Sequence, residues 1–400
     1  MTALSLFGWI FLAIVLQAAI FAGIGFARHW QRYRQLQTAT ATENPVTETE
    51  NIAAAWRGVR RFRVAQRTVE SRDGAICSFH LVPEDGQPLP GFRPGQFMTF
   101  ELNLPEVGRL VRCYSLSDAP QPDHYRVSIK RVPGGRSSNH FHDRVQVGSI
   151  MDVRAPGGHF HLEPGGAPIV LIAGGIGITP MLSMIEWCLA HEPEREIWLF
   201  YGVRNGSELA MRERLESQAS RHASLRLHFC FSDPRPDEAA GRDYHHAGRV
   251  SLDLLRMQLP LKPYHFYICG PGAMMATMVE GLAEWGVPEG RIHYEAFGPA
   301  SVKPRQKETP VADAAGEVTV TFARSGITVP WQRSAGSLLD FAEQAGVTVD
   351  SSCRGGACGT CRTTIRQGEV TYTQAPDYDP EPGTCLLCVC TPKTNVILEA

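Results

Sequence analysis

The sequence predicts a multidomain chain: an N-terminal transmembrane helix, an antiparallel β-barrel, an α/β doubly wound domain and an α+β domain of β-grasp type. Three observations carry this reading. Residues 3–26 hold no charged side chain. From 56 to 162 short β-rich runs are separated by Gly, Pro and Asp, whereas from 163 to 298 apolar runs alternate with helical ones. Past a Pro- and Lys-bearing stretch at 299–316, the segment 317–400 is built around CRGGACGTC, from Cys353 to Cys361.

Composition narrows the function classes. A length of 400 residues with 43% hydrophobic content suggests two to four folded units. Thirty-nine basic and 41 acidic residues leave a net charge of −2, so nucleic acid is not expected as a partner. Of the 11 cysteines, Cys77, Cys113, Cys188, Cys230 and Cys269 sit singly in apolar runs and read as reduced core thiols.

In chain order, the run 3–26 is long enough to cross about 30 Å of hydrocarbon as a helix. Arg28, His29, Arg32 and Arg34 follow it directly. By the positive-inside bias they place a single-pass protein in the cytoplasmic membrane with its bulk cytoplasmic. A secretory signal peptide is the competing reading, but the basic leader and small-x-small cleavage site are missing. Residues 27–55 form a tether, rich in Thr, Ala and Glu from Gln35 to Asn51.

Six strands are expected in the barrel, at 58–66, 76–83, 95–103, 109–117, 124–132 and 149–155. In the next unit IVLIA, EIWLFYGVR, SLRLHFCFS, HFYICGP and RIHYEAF read as strands. The helical patterns are MLSMIEWCLA, capped by Thr179 with Pro180 at its first position, then 207–218, 251–258 and 273–286. Strand-helix alternation of this kind builds a parallel sheet that binds nucleotides at its strand ends. The last unit has two strands, a helix SLLDFAEQAG closed by Gly346, and then the cysteine loop.

Cys353, Cys358 and Cys361 are separated by four and then two residues, the spacing with which a plant-type ferredoxin loop holds a [2Fe–2S] cluster. Zinc sites more often pair two CxxC knuckles, and one such knuckle stands here. The fourth ligand must come from TCLLCVCTP. Cys388 is preferred because Cys-Val-x-x-Pro before a closing strand resembles such ferredoxins, with Cys385 and Cys390 as rivals. The close pairs His140 and His142, His159 and His161, and His245 and His246 lack a helical partner with an acid, so they read as solvated or strand-face residues.

RCYSLSDAP (112–120), the strand YRVSIKR and VPGGRSSNHFHDRV (132–145) together resemble the flavin-binding domain of the ferredoxin–NADP reductase superfamily. The likeness is to the reductase part of flavohaemoglobins. It implies a flavin, FAD in preference to FMN, with Tyr114 packed on the isoalloxazine, Ser115 near N5 and Arg112 facing the pyrophosphate. Lys130, Gly135, Ser137 and Ser138 would complete that site, Ser138 starting a short helix whose free N–H groups accept phosphate oxygens. GGIGITP, YGVRN and YICGP in this order resemble the nicotinamide domain of the same superfamily. There Gly174, Gly175, Gly177 and Thr179 would face the dinucleotide, Cys269 and Gly270 would lie beside the nicotinamide, and Glu295 and Phe297 would reach the flavin edge. Asp233 favours NADH at the adenosine ribose, and Arg235 is the argument for NADPH.

A nicotinamide yields two electrons as hydride and a [2Fe–2S] cluster takes one, so the resemblance implies a converter from pairs to single electrons. Residues 56–400 resemble reductase components that feed oxygenases, hydroxylases or desaturases. The anchor would add the lipid bilayer as a partner and make the electron-accepting protein a membrane protein. The alternatives are a stand-alone ferric, quinone or disulfide reductase, and a redox sensor. Intact RCYS and GGRSSN runs argue against the sensor.

Overall fold

A computed structural model describes residues 56, 58–105, 108–297, 318–351, 353–356, 358–373, 376, 378 and 380–400. Among them no helix is long and apolar enough to cross a membrane. The longest, of 14 residues, rises about 21 Å, short of the ~30 Å of hydrocarbon. This corrects the expected fold class: the transmembrane helix is unsupported, and with it the placement in the cytoplasmic membrane and the bilayer as partner. Segment 3–26 itself lies outside the described residues, as do the tether and the stretch 299–316.

The barrel strands are β1 (Val59–Val69), β2 (Ile76–Pro83), β3 (Phe97–Leu104), β4 (Gly108–Ser115), β5 (Tyr125–Lys130) and β6 (Ile150–Gly157). They pair in the order β4-β3-β6-β1-β2-β5, antiparallel throughout. An antiparallel bridge between Leu116 and Val127 then brings the end of β4 onto β5 and closes the barrel. Phe100 and Phe141 meet edge to face at its centre, and Tyr114 joins both rings. Helix α1 (Arg136–Arg144) follows β5.

The second unit holds β7 (Ile169–Gly174), α2 (Ile178–His191), β8 (Ile197–Val203), α3 (Arg212–Arg221), β9 (Leu225–Phe231) and β10 (His246–Ala247). It continues with α4 (Leu252–Gln258), β11 (His265–Gly270), α5 (Gly272–Glu284) and β12 (Ile292–Ala296). The sheet order β10-β9-β8-β7-β11-β12 is parallel. Its strands are buried on both faces, which explains their continuous apolar runs. The order reverses at β7, between β8 and β11, so a crevice opens beyond Gly174 and Gly270. Thr179 does not cap α2. A 3-10 turn at Gly175–Gly177 runs directly into the helix, leaving Thr179 within its first turn, where its hydroxyl donates to Ile176 O at 3.0 Å. The pattern at 207–218 becomes a helix from Arg212, because Met211 adopts a left-handed φ of 58°.

The third unit comprises β13 (Thr319–Phe322), β14 (Ile327–Pro330), α6 (Leu338–Gln344), β15 (Arg362–Gln367), β16 (Val370–Tyr372), β17 (Thr384–Leu386), β18 (Cys390–Pro392) and β19 (Val396–Leu398). Its mixed sheet β14-β13-β19-β15-β17, with β13 and β19 parallel, is the β-grasp arrangement. Ser337 caps α6 by accepting from Asp340 N at 3.2 Å, and Gly346 closes it at φ 77°.

Buried charges tie the barrel to the α/β unit. Asp118 of the barrel lies 3.2 Å from Arg214 Nη2 of α3 and 3.6 Å from Arg126 Nε. Arg126, 2% exposed, also stands 3.8 Å from Glu186 of α2, which pairs in turn with Arg214. This network joins the barrel to the first two helices of the α/β unit.

Candidate functional site

One cavity of about 670 Å³ has walls from all three units. The barrel supplies Phe97, Arg112, Cys113, Tyr114, Ser115, Lys130, Gly135, Ser137 and Ser138. The α/β unit supplies Ile176, Thr179, Glu295 and Phe297, and the β-grasp unit supplies Ser351, Cys353 and Arg354. Strand β4 delivers alternate side chains to two sides. Tyr114 packs against the barrel core and its hydroxyl shares a hydrogen bond of 2.7 Å with Ser137 Oγ. Burial pushes that phenol up to about 12. Ser115 Oγ donates to Glu295 Oε2 at 3.5 Å. Desolvation pushes the Glu295 carboxyl up to about 8, and the neighbouring Cys353 sulfur adds to the rise.

Two backbone features border the cavity and the crevice. Helix α1 starts at Arg136 after Gly135 without a side-chain cap, and Gly135, Arg136, Ser137 and Ser138 border the cavity, so uncapped N–H groups lie at its wall. Ser138 is therefore in the first turn instead of starting the helix, and its Oγ accepts from Val132 N at 3.1 Å. Lys130 projects from the end of β5, 3.7 Å from Glu208 Oε2 and beside the Gly175 turn. At the crevice, a Cβ on Gly177 would stand 2.1 Å from Cys269 O, and one on Gly270 would meet Gly174 Cα at 3.0 Å. Glycine is required where these two turns pass backbone to backbone. Cys269 is fully buried behind them. Phe297 is 39% exposed, at the mouth.

Asp233 lies apart from this cavity, beyond β9, where its N–H donates to Arg204 O at 2.8 Å. Arg204, 73% exposed and paired with Glu208, was not singled out from the sequence. Arg235 is held by its N–H donating to Glu238 Oε2 at 2.8 Å.

The cysteine loop borders the same cavity. Cys353 Sγ accepts from Gly355 N at 3.4 Å and from Cys358 N at 3.3 Å, and Cys358 Sγ accepts from Cys353 N at 3.4 Å. Thr360 Oγ1 donates to Cys358 Sγ at 3.1 Å. Hydrogen bonds from the Cys113, Cys358 and Cys388 thiols pull Cys353 far below the ordinary thiol range. Cys388 also meets Cys361, whereas Cys385 and Cys390 pair with each other. Amide donors reach the Cys353 and Cys358 sulfurs, an environment suited to thiolate ligands of iron, and among the described residues no three Cys, His, Asp or Glu side chains are grouped to hold a single metal ion. The Cys388 sulfur neighbours those of Cys353 and Cys361. Cys113, which reads as a core thiol in the sequence, instead meets Cys353 and Cys358. None of the 11 cysteines is disulfide-bonded.

The cavity, the crevice and the sulfur set define a three-part oxidoreductase, and comparison with known proteins agrees. Family models described as an oxidoreductase FAD-binding domain, an oxidoreductase NAD-binding domain and a 2Fe-2S iron-sulfur cluster binding domain match residues 61–162, 171–280 and 320–393. The structure of phthalate dioxygenase reductase, described as modular for electron transfer from pyridine nucleotides to [2Fe–2S], is 30% identical. It covers 86% of this chain and 98% of its own, with a TM-score of 0.52. The flavohem-like FAD/NAD-binding domain of nitric oxide dioxygenase from Vibrio cholerae is 31% identical over 61% of this chain and 100% of its own, with a TM-score of 0.54. The flavohemoprotein of Rhizobium meliloti is 38% identical over 258 residues, 63% of this chain. The present chain spans 63% of that relative's length. The chain belongs to the ferredoxin–NADP reductase superfamily, among the members fused to a C-terminal [2Fe–2S] ferredoxin domain. It is an NAD(P)H-dependent oxidoreductase whose cofactors are FAD and a [2Fe–2S] cluster.

Proposed function

We propose that this protein is the reductase component of an oxygenase, hydroxylase or desaturase system and passes single electrons from its cluster to a separate acceptor protein. The observation that carries the reading is the shared cavity: Tyr114, Ser115, Glu295 and Cys353, from three units, border one space. FAD held there would supply the chemistry that turns a hydride pair into single electrons, and a [2Fe–2S] cluster held by the cysteine loop would accept them singly.

The chain's own residues bind and orient. Tyr114, held by Ser137, offers its ring as a stacking face. Ser115 is the hydroxyl aimed at the flavin edge, and Glu295 holds it in place and keeps a proton near neutral pH. Arg112, Lys130 and the N–H groups after Gly135 receive the flavin's phosphates. The turn from Gly174 to Thr179 receives those of the nicotinamide, whose ring reaches Cys269 and Gly270. Phe297 covers the mouth and excludes water until that ring arrives. Cys353, Cys358, Cys361 and Cys388 hold the cluster, and Asp233 selects NADH by repelling a 2′-phosphate.

The test is reduction by NADH under anaerobic conditions, with a protein acceptor such as cytochrome c compared against ferric chelates and quinones. Cys353→Ser is expected to abolish transfer to the protein acceptor and to spare ferricyanide reduction. Undiminished turnover of a quinone or ferric chelate in that variant, with no protein acceptor served by the intact chain, would favour the stand-alone reductase.

A further inference from the structure

Strands β8 and β9 end level, Val203 opposite Phe231, and their pairing runs on past the sheet: Ser232 N donates to Val203 O at 3.0 Å and Asp233 N to Arg204 O at 2.8 Å. Arg204 and Asp233 are thereby fixed side by side beyond the strand ends, where a parallel sheet of this kind takes its nucleotide. Glu238 braces the same two loops, accepting from Gly206 N at 2.9 Å through Oε1 and from Arg235 N at 2.8 Å through Oε2. With the backbone settled, the Arg204 side chain is what remains to choose a partner. It is 73% exposed, yet its Nε and Nη2 both close on one oxygen, Oε1 of Glu208. The other oxygen, Oε2, faces Lys130 Nζ of the barrel at 3.7 Å. Glu208 itself is 8% exposed, so two cations from two units share one buried carboxylate.

We infer that Glu208 is a specificity-determining residue: anchored on Lys130, its carboxylate holds the Arg204 guanidinium and withholds it from the 2′-phosphate of NADPH. The inference rests on the proposed reading of the adenosine ribose at Asp233. A carboxylate there repels a 2′-phosphate, but a free guanidinium next to it would offset that repulsion and offer the phosphate two parallel N–H donors. Selection by Asp233 thus requires that Arg204 be engaged elsewhere. Glu208 engages the same Nε and Nη2 pair that a phosphate would use, and Lys130 on its second oxygen keeps the carboxylate from following the arginine into solvent. NADH, with a hydroxyl at that position, calls on neither nitrogen.

The experiment is isothermal titration calorimetry of the oxidised full chain, carrying FAD and cluster, with NAD+ and NADP+ as the probes. Glu208→Gln, which keeps the shape and removes the charge, is expected to tighten NADP+ on the order of 10-fold, the worth of one charge-assisted hydrogen bond, and to move NAD+ far less. Adding Arg204→Ala to Glu208→Gln should cancel the gain, whereas adding Arg235→Ala should leave it. A merely structural role for Glu208 predicts weaker binding, not a gain for one nucleotide. Unchanged or weaker NADP+ binding in Glu208→Gln overturns the inference. So does a gain that survives Arg204→Ala, because the released arginine would then not be the reader. Should Glu208→Gln not fold, Arg204→Ala in the native background decides: unchanged NADP+ binding supports the inference, and weaker binding overturns it, since the guanidinium would already be serving the phosphate. An Asp233→Ala chain that binds both nucleotides as the native one does would instead defeat the ribose reading on which the inference stands.

Discussion

Ser115 Oγ donates to Glu295 Oε2 across the seam between β4 of the barrel and β12 of the parallel sheet, over 3.5 Å. The contact is long, and desolvation keeps its acceptor carboxyl protonated up to about pH 8. Ser115 is therefore steered by a neutral neighbour, and with its proton given to that carboxyl its oxygen lone pairs are what the proposal leaves for the flavin edge. Ser115→Ala is expected to slow flavin reduction by NADH on the order of 10²-fold. Stopped-flow absorbance would show this, and iron content should be unchanged. A rate within about twofold of the native chain would remove Ser115 from the proposed machinery.

The sulfur set makes a separable prediction. Serine at 353, 358, 361 or 388 should abolish the EPR signal of the reduced cluster and leave FAD bound. Serine at 385 or 390 should retain iron. Those two thiols are fully buried, so a hydroxyl in their place costs about 1–3 kcal/mol where it finds no partner. Loss of iron from Cys390→Ser alone would reassign the fourth ligand.

Asp118 and Glu186 share the charges of Arg126 and Arg214 between barrel and sheet. Desolvation, together with the Asp118 carboxylate, pushes Glu186 up to about 7. A carboxyl raised in the folded state contributes stability that is complete below its unfolded pKa, near 4.5. That contribution is lost as pH rises through about 7. Thermal denaturation should accordingly show Tm falling between about pH 4.5 and 7 and levelling above it, within a limit of a few kcal/mol. In Glu186→Gln this slope should flatten, and an equally steep slope would locate the ionisation elsewhere.

For the nicotinamide, kcat/KM with ferricyanide should be higher for NADH than for NADPH, and Asp233→Ala should narrow the gap. Arg204 stands beside Asp233 with its guanidinium largely in solvent. Arg204→Ala and Arg235→Ala should leave the NADH value near that of the native chain. A native preference for NADPH that collapses in either variant would identify that arginine as the 2′-phosphate reader.

Features encoded in short stretches were the legible ones. Six barrel strands and five of the parallel strands follow from local alternation and apolar runs, and the spacing of Cys353, Cys358 and Cys361 is a local signature. What was not legible depends on docking. Nothing beside Cys113 in RCYS marks it as facing another unit, and the pairing of Asp118 with Glu186 joins residues on separate folds. Thr179 looked like a cap because sequence does not show that a 3-10 turn precedes the helix. Residues 3–26 carry a strong hydropathy signal, but no helix among the described residues could span a bilayer.

Ser351, Cys353 and Arg354 wall the cavity from the far end of the chain. Synthesis delivers the barrel and the parallel sheet before that wall exists, so the nascent groove lies open along one flank. The expected order of maturation is flavin first and iron and sulfide afterwards, with the closing loop retaining the flavin as a latch would. Stripping iron with a chelator should therefore quicken FAD escape, as followed by recovery of flavin fluorescence. Identical escape from the stripped and loaded protein would show that the latch does not retain the flavin.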